Sequence, residues 1–242
     1  MPVIQVEGVS KRYPLGKPVG SLKRVVGRWL SRQPAEEFVW ALREVTFSVG
    51  AGETVGFIGH SGAGKSTMLR LLAPISKPTA GRVATRGRIA ALIALGAGFH
   101  PDLTGRDNIF LNGTVLGLRR AEIKRRFDEI VAFSELERFL DTPVRHYSSG
   151  MSLRLGFSVA AILTCDLLLV DEVLAVGDER FTERCLTRMR EMRDAGTTIL
   201  LASHNLGTVT GFCSRALLFR QGRLQADGPA GDVVATYQGR ST

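Results

Sequence analysis

The nine residues from Gly59 to Thr67 read GHSGAGKST. The spacing G-x-x-x-x-G-K-[ST] is complete. A short apolar run, TVGFI, precedes it, and a helical pattern, KSTMLRLLA, follows. Glycines at such a strand-to-helix junction let backbone N–H groups turn inward and form a concave anion nest. Gly59, His60, Ser61, Gly62, Ala63, Gly64, Lys65, Ser66 and Thr67 are therefore the candidate phosphate cradle. In a loop of this kind the lysine reaches the β- and γ-phosphates and the Ser66 hydroxyl faces Mg²⁺. The helix N-terminus adds favourable partial charge.

The motif constrains the fold, because it needs a strand entering a helix. The remaining pattern agrees. VIQVEGVSKRY and VWALREVTFSV alternate apolar and polar residues, as strands do. Two helical patterns follow, DLTGRDNIFLNGTVLGL and RAEIKRRFDEIVAFSEL, and a third runs over 146–164. Strand 167–170, helix 179–195, strand TTILLAS, helix 205–213 and a terminal hairpin complete the chain. Alternating strands and helices argue for a parallel sheet covered on both faces. The expected class is α/β: a P-loop NTPase core with a mainly parallel sheet, an antiparallel β lobe and an α-helical lobe. The whole chain, 1–242, reads as one domain, with the helical lobe at about 102–164 and an insertion at about 14–37.

Net charge is +9, and its placement is informative. Lys11, Arg12, Lys17, Lys23, Arg24, Arg28 and Arg32 fall between Gly8 and Ala35, a stretch without Asp or Glu. A nucleic-acid footprint would spread the excess further, so no nucleic-acid partner is expected. The three cysteines, Cys165, Cys185 and Cys213, show no metal or redox spacing. Their scarcity suits a reducing compartment. The N-terminus lacks an apolar signal segment, and no run is long enough to span a membrane.

LLLVDE ends in Asp171 and Glu172 at the edge of an apolar strand, where ligands bind in open α/β sheets. An Asp there holds Mg²⁺ beside a phosphate loop, and the adjacent Glu suits a general base.

The phosphate loop, a helix opening YSSGM and then LLLVDE occur in that order. Together they resemble the nucleotide-binding subunits of ABC transporters. The family signature, L-S-G-G-Q, aligns with Tyr147 to Met151. Ser148 and Gly150 fall on its Ser and second Gly, while Ser149 and Met151 replace its first Gly and its Gln. The resemblance implies a head-to-tail homodimer around ATP and Mg²⁺, in which Ser148, Ser149 and Gly150 approach the nucleotide held by the other copy. It further implies Glu172 as catalytic base, AVGD (175–178) as a loop touching the other subunit, and His204 as the γ-phosphate switch. Leu95 to Gly113, LGAGFHPDLTGRDNIFLNG, resembles the polysaccharide-exporting branch, which moves lipid-linked O-antigen, teichoic acid, galactan or capsular chains. That branch implies a separate transmembrane channel subunit, indirect dealings with the lipid-linked polysaccharide and a peripheral place on the cytoplasmic face of the inner membrane. No C-terminal carbohydrate-binding domain is expected. Subunits for another cargo, such as a lipid or drug, and soluble non-transport ABC ATPases remain alternatives.

One departure is plain. The family's metal-contacting glutamine aligns with Leu95, preceded by Ala94, and neither side chain ligates a metal. Tyr13 matches the aromatic that stacks on adenine, with Phe38 and Trp40 as rivals. Within the insertion, Leu22, Val25, Val26, Trp29 and Leu30 recur at helical spacing opposite Lys23, Arg24 and Arg28. Such an amphipathic helix, over residues 20–31, suits an anionic membrane surface or docking on the channel partner.

Overall fold

The computed structural model describes residues 2–15, 37–93, 98–171 and 178–239. The insertion helix, Ala94, Leu95, Glu172 and residues 175–177 lie outside them.

The main layer is a six-stranded sheet built from β3 (Thr54–Ile58), β5 (Ile89–Leu92), β6 (Leu167–Asp171), β7 (Thr198–Ala202), β8 (Arg215–Arg220) and β9 (Arg223–Pro229). Their spatial order is β5-β6-β7-β3-β8-β9, and only β9 runs antiparallel to its neighbour. The central strands are mostly apolar because both faces are covered. Period-two alternation divides them between two cores. Leu168, Val170, Ile199, Leu201, Ala216 and Leu218 face one core, with Phe157, Phe181 and Met189 from the helices. Leu167, Leu169, Leu200, Ala202, Leu217 and Phe219 face the other, with Met68, Leu69 and Leu72 of α1 (Lys65–Leu72). The expected covered parallel sheet is what the chain builds.

The second core is closed by a three-stranded antiparallel sheet, in the order β2-β1-β4, from β1 (Pro2–Pro14), β2 (Phe38–Gly50) and β4 (Ala80–Thr85). Lys11 pairs with Leu42 but Arg12 pairs with Trp40, so Ala41 is the extra residue of a β-bulge. The bulge turns the Ala41 backbone out of the ladder and towards the phosphate loop.

The helical lobe contains α2 (Gly105–Val115), α3 (Arg120–Arg125), α4 (Phe127–Ser134) and α5 (Ser149–Ala161), with its own core around Ile109, Ile123, Ile130 and Leu155. The sequence pattern suggests one helix over 120–136, but the structure divides it. Arg126 has φ −107° and ψ 13°, and its guanidinium donates to the Ile162 carbonyl beyond α5. That anchor reaims α4 so that Ile130 and Val131 pack inward. After β6 come α6 (Glu179–Asp194), α7 (Leu206–Phe212) and α8 (Ala230–Tyr237). Helix α8 follows the hairpin and has no counterpart in the sequence reading. No helix among the described residues is long and apolar enough to cross a membrane.

The cysteines are core residues. Burial pushes the Cys165 thiol up to about 11 and those of Cys185 and Cys213 to about 12. All three should resist a thiol reagent in the native protein and react once it is unfolded. Phe57 is fully buried, with ring centroids 5.9 Å from Phe47 and 5.1 Å from Phe219. Phe57→Ala should cost about 3–5 kcal/mol, read from denaturant midpoints, by opening a cavity beneath the phosphate loop.

Candidate functional site

All five residues of β3 are buried. The chain then leaves the sheet in left-handed backbone at Gly59, φ 141°, and at Gly64, φ 111°. Space restricts both positions further. A Cβ on Gly59 would lie 2.2 Å from the Phe219 carbonyl oxygen, and one on Gly64 would lie 2.7 Å from that of Ala41. The loop is thus pressed between β8 and the bulge of β2. Ala63 N–H donates to His60 O at 3.1 Å, and Gly222 N–H donates to Ala63 O at 3.1 Å. The remaining hollow, about 140 Å³, is lined by Ala41 and residues Ser61, Gly62, Ala63, Gly64, Lys65, Ser66 and Thr67. Lys65 is 3% exposed, and its Nζ donates to the carbonyls of Gly59 at 2.8 Å and His60 at 3.2 Å. Two loop carbonyls therefore fix the ammonium at the inner edge of the cradle.

Strand register brings the other groups to this edge. Phe57 is level with Ala202, and Ala202 is level with Asp171. Gly59 and His204 each follow two residues beyond that rung. His204 is exposed just past β7. Ser66 Oγ donates to Asp171 Oδ1 at 2.9 Å. A hydroxyl and a carboxylate beside a phosphate nest form the small, hard oxygen set that suits Mg²⁺, a cation that keeps waters and takes phosphate oxygens. Glu172, the expected base, lies outside the described residues.

Ser148 is the N-cap of α5. Its Oγ accepts from Met151 N–H at 3.1 Å, and its own O–H remains available to donate. Ser148 and Ser149 are exposed. A Cβ on Gly150 would meet only Ser148 Oγ, at 3.8 Å, so the outer face of the tip is open. Among the described residues, no hydrogen bond joins this tip to the chain's own phosphate loop.

The aromatic candidates share the far end of the β1–β2 ladder, where Pro14 is level with Phe38, Tyr13 with Val39 and Arg12 with Trp40. Tyr13 and Trp40 are both exposed. The Arg12 guanidinium covers Phe38 at 4.1 Å and Trp40 at 5.8 Å, while Lys11 Nζ lies 5.0 Å from the Tyr13 ring. The bulged Ala41 connects this end to the cradle.

Two contacts have no forewarning in the motifs. Tyr237 of α8 sits against His60 of the loop, with ring centroids 5.3 Å apart and its hydroxyl 3.4 Å from Nδ1. Spacing of Val233, Val234 and Tyr237 after Pro229 was the available signal. Arg154 of α5 contacts both Glu135 and Asp178. Beside that contact runs a cleft of about 1360 Å³ along α4, α5 and α6. It holds no glycine nest, whereas the far smaller hollow at Gly59–Thr67 does.

Comparison with known proteins follows the same outline. The family model described as "ABC transporter" matches residues 42–175. The O-antigen export system ATP-binding protein RfbB of Klebsiella pneumoniae is 45% identical over 241 residues, 98% of this chain and 98% of that protein. The teichoic acids export ATP-binding protein TagH of Bacillus cereus is 38% identical over 97% of this chain, which spans 42% of that protein. The dimeric structure of a post-hydrolysis state of the ATP-binding cassette MJ0796, bound to ADP and Pi, has a TM-score of 0.75 at 22% identity and covers 94% of this chain and 98% of its own. At that identity the likeness is one of fold.

Gly59→Ala should abolish nucleotide binding, measured by equilibrium dialysis with ATP, because its methyl group would displace the loop from Phe219. Asp178 supplies a pH prediction. Its carboxyl is held below the usual range, first by the Phe181 N–H and then by the Arg154 charge. A lowered folded value stabilises above the unfolded pKa and is lost as pH falls below about 4. Asp178→Asn keeps a cap acceptor, so its Tm should fall less steeply than that of the wild type through that acid range.

Proposed function

The chain belongs to the ABC transporter family, and from that premise we propose that it is the ATP-hydrolysing subunit of a transporter exporting lipid-linked polysaccharide through a separate membrane channel. The observation that carries the nucleotide reading is the Ser66–Asp171 hydrogen bond at the lip of the Gly59–Thr67 nest. The cargo reading is supported by near-identical extent and 45% identity to an O-antigen export ATP-binding protein.

The residues divide the work by position. The nest N–H groups and the start of α1 hold the phosphates, and Lys65 exchanges loop carbonyls for phosphate oxygens. Ser66 and Asp171 would hold Mg²⁺, which when bound neutralises charge on the β- and γ-phosphates. Glu172 takes the proton of the attacking water, and His204 senses the γ-phosphate from the end of β7. Tyr13 stacks on adenine. Ser148, Ser149 and Gly150 complete the nucleotide site of a second copy, since their helix tip is open and, among the described residues, makes no hydrogen bond to its own loop. Helix N-termini attract phosphate through free N–H groups and the dipole. ATP thus joins two copies head to tail, and hydrolysis loosens them. In this reading the pair works on the cytoplasmic face of the inner membrane, with residues 20–31 meeting an anionic lipid surface or the channel.

Glu172→Gln should bind ATP, hydrolyse it at least a hundredfold more slowly than wild type, in line with loss of a general base (about 10²–10⁴-fold), and run as a dimer on size exclusion only when ATP and Mg²⁺ are present. A monomer under those conditions would remove the central step. The cargo is tested by reconstituting the chain with its channel in vesicles. Lipid-linked polysaccharide should stimulate ATP hydrolysis, and a drug or simple lipid doing so instead would reassign the cargo.

A further inference from the structure

Helices α4, α5 and α6 meet at a joint that phosphate chemistry does not use. Each contributes one ring: Phe133, Phe157 and Phe181, with centroids 5.9, 5.8 and 6.3 Å apart. The Arg184 guanidinium lies 4.8 Å from the Phe133 ring and that of Arg154 lies 5.1 Å from Phe181. Glu135 binds both arginines. Its Oε2 accepts from Arg154 Nη1 at 3.1 Å and its Oε1 from Arg184 Nη1 at 2.5 Å. Arg180 Nη2 is 3.9 Å away.

Two features separate Glu135 from an ordinary surface partner. It is the C-cap of α4, in left-handed backbone at φ 57° and ψ 35°. That conformation favours glycine or asparagine, so the turn does not account for a glutamate. The second feature is what Arg154 does with its other nitrogen. Nη2 donates to Asp178, whose Oδ1 caps α6 by accepting from Phe181 N–H at 2.8 Å. A single guanidinium therefore links the end of α4, the helix tipped by Ser148 to Gly150, and the N-cap of α6.

We propose that Glu135 is a positioning residue for the half of the site completed by the second copy. By holding Arg154 and Arg184 side by side it fixes the direction of α5. The Ser148–Gly150 tip then keeps its place relative to Asp178 and the start of α6. Without the carboxylate the two guanidiniums repel, and the tip loses its aim at the neighbouring nucleotide. Glu135 touches no substrate. The inference rests on the reading in which that tip acts on a second copy's nucleotide.

The test uses the full-length chain with Glu135→Asn and Glu135→Gln. Both variants lose the two ion pairs, but asparagine suits the left-handed backbone, so Glu135→Asn should melt higher than Glu135→Gln and remain folded. Its kcat for ATP should still fall about tenfold or more, the scale expected when a catalytic group is misplaced by a fraction of an ångström to 1 Å. Monomer affinity for ATP, set by the untouched cradle, should stay within twofold. Combined with Glu172→Gln, either change should raise the protein concentration needed for ATP-driven dimers about tenfold. Wild-type kcat in Glu135→Asn overturns the proposal and leaves Glu135 a structural residue. If Glu172→Gln alone forms no dimer with ATP, the two-copy reading fails and this inference falls with it.

Discussion

The phosphate loop is backbone pressed on backbone. Gly59 lies under the Phe219 carbonyl and Gly64 under that of Ala41, with no space for a Cβ at either point. Those contacts hold the loop around its hollow of about 140 Å³. They also explain why the surroundings are built as they are. β8 must run beside β3 to present Phe219, and β2 must carry a bulge to present Ala41. The rigid floor is the Phe47, Phe57 and Phe219 ring cluster.

Around this loop the candidate groups stand on two parts of the structure. Lys65, Ser66 and Asp171 are held by hydrogen bonds within the α/β core. Ser148 to Gly150 stand on the helical lobe, whose core of Ile109, Ile123, Ile130 and Leu155 is separate from the other two. Helix α5 joins that core to the core of the sheet, Leu155 and Val159 facing the first and Phe157, Ala160 and Ala161 the second. Arg154 and the three phenylalanines occupy that junction.

Much of this was legible in the sequence, for physical reasons. Gly59 to Thr67 demands a strand and a helix at fixed places, and unbroken apolar runs such as LLLV and ILLA announce strands buried on both faces. The α5 start was equally readable, since Ser148 is a strong N-cap. Other features depend on distant partners. The division of the helical segment at Arg126 follows from a carbonyl at Ile162, which no local pattern reveals. Glu135 read as one more residue of the helical pattern over 120–136, and the two arginines that meet it come from other helices. Helix α8 was hidden by its shortness and by the hairpin before it. The choice among Tyr13, Phe38 and Trp40 stayed open because the β1–β2 register depends on a bulge that composition does not disclose.

The level rung through Asp171, Ala202 and Phe57 has an evolutionary consequence. Residues scattered over the chain reach the same edge only because three parallel strands are kept in step. Gaining or losing one amino acid within β3, β6 or β7 would move the following residues by about 3.3 Å and turn inward-facing side chains to the opposite core. Length changes in descendants of this chain should therefore collect in the connections at the opposite edge and in the helical lobe, leaving these strands to vary by substitution alone.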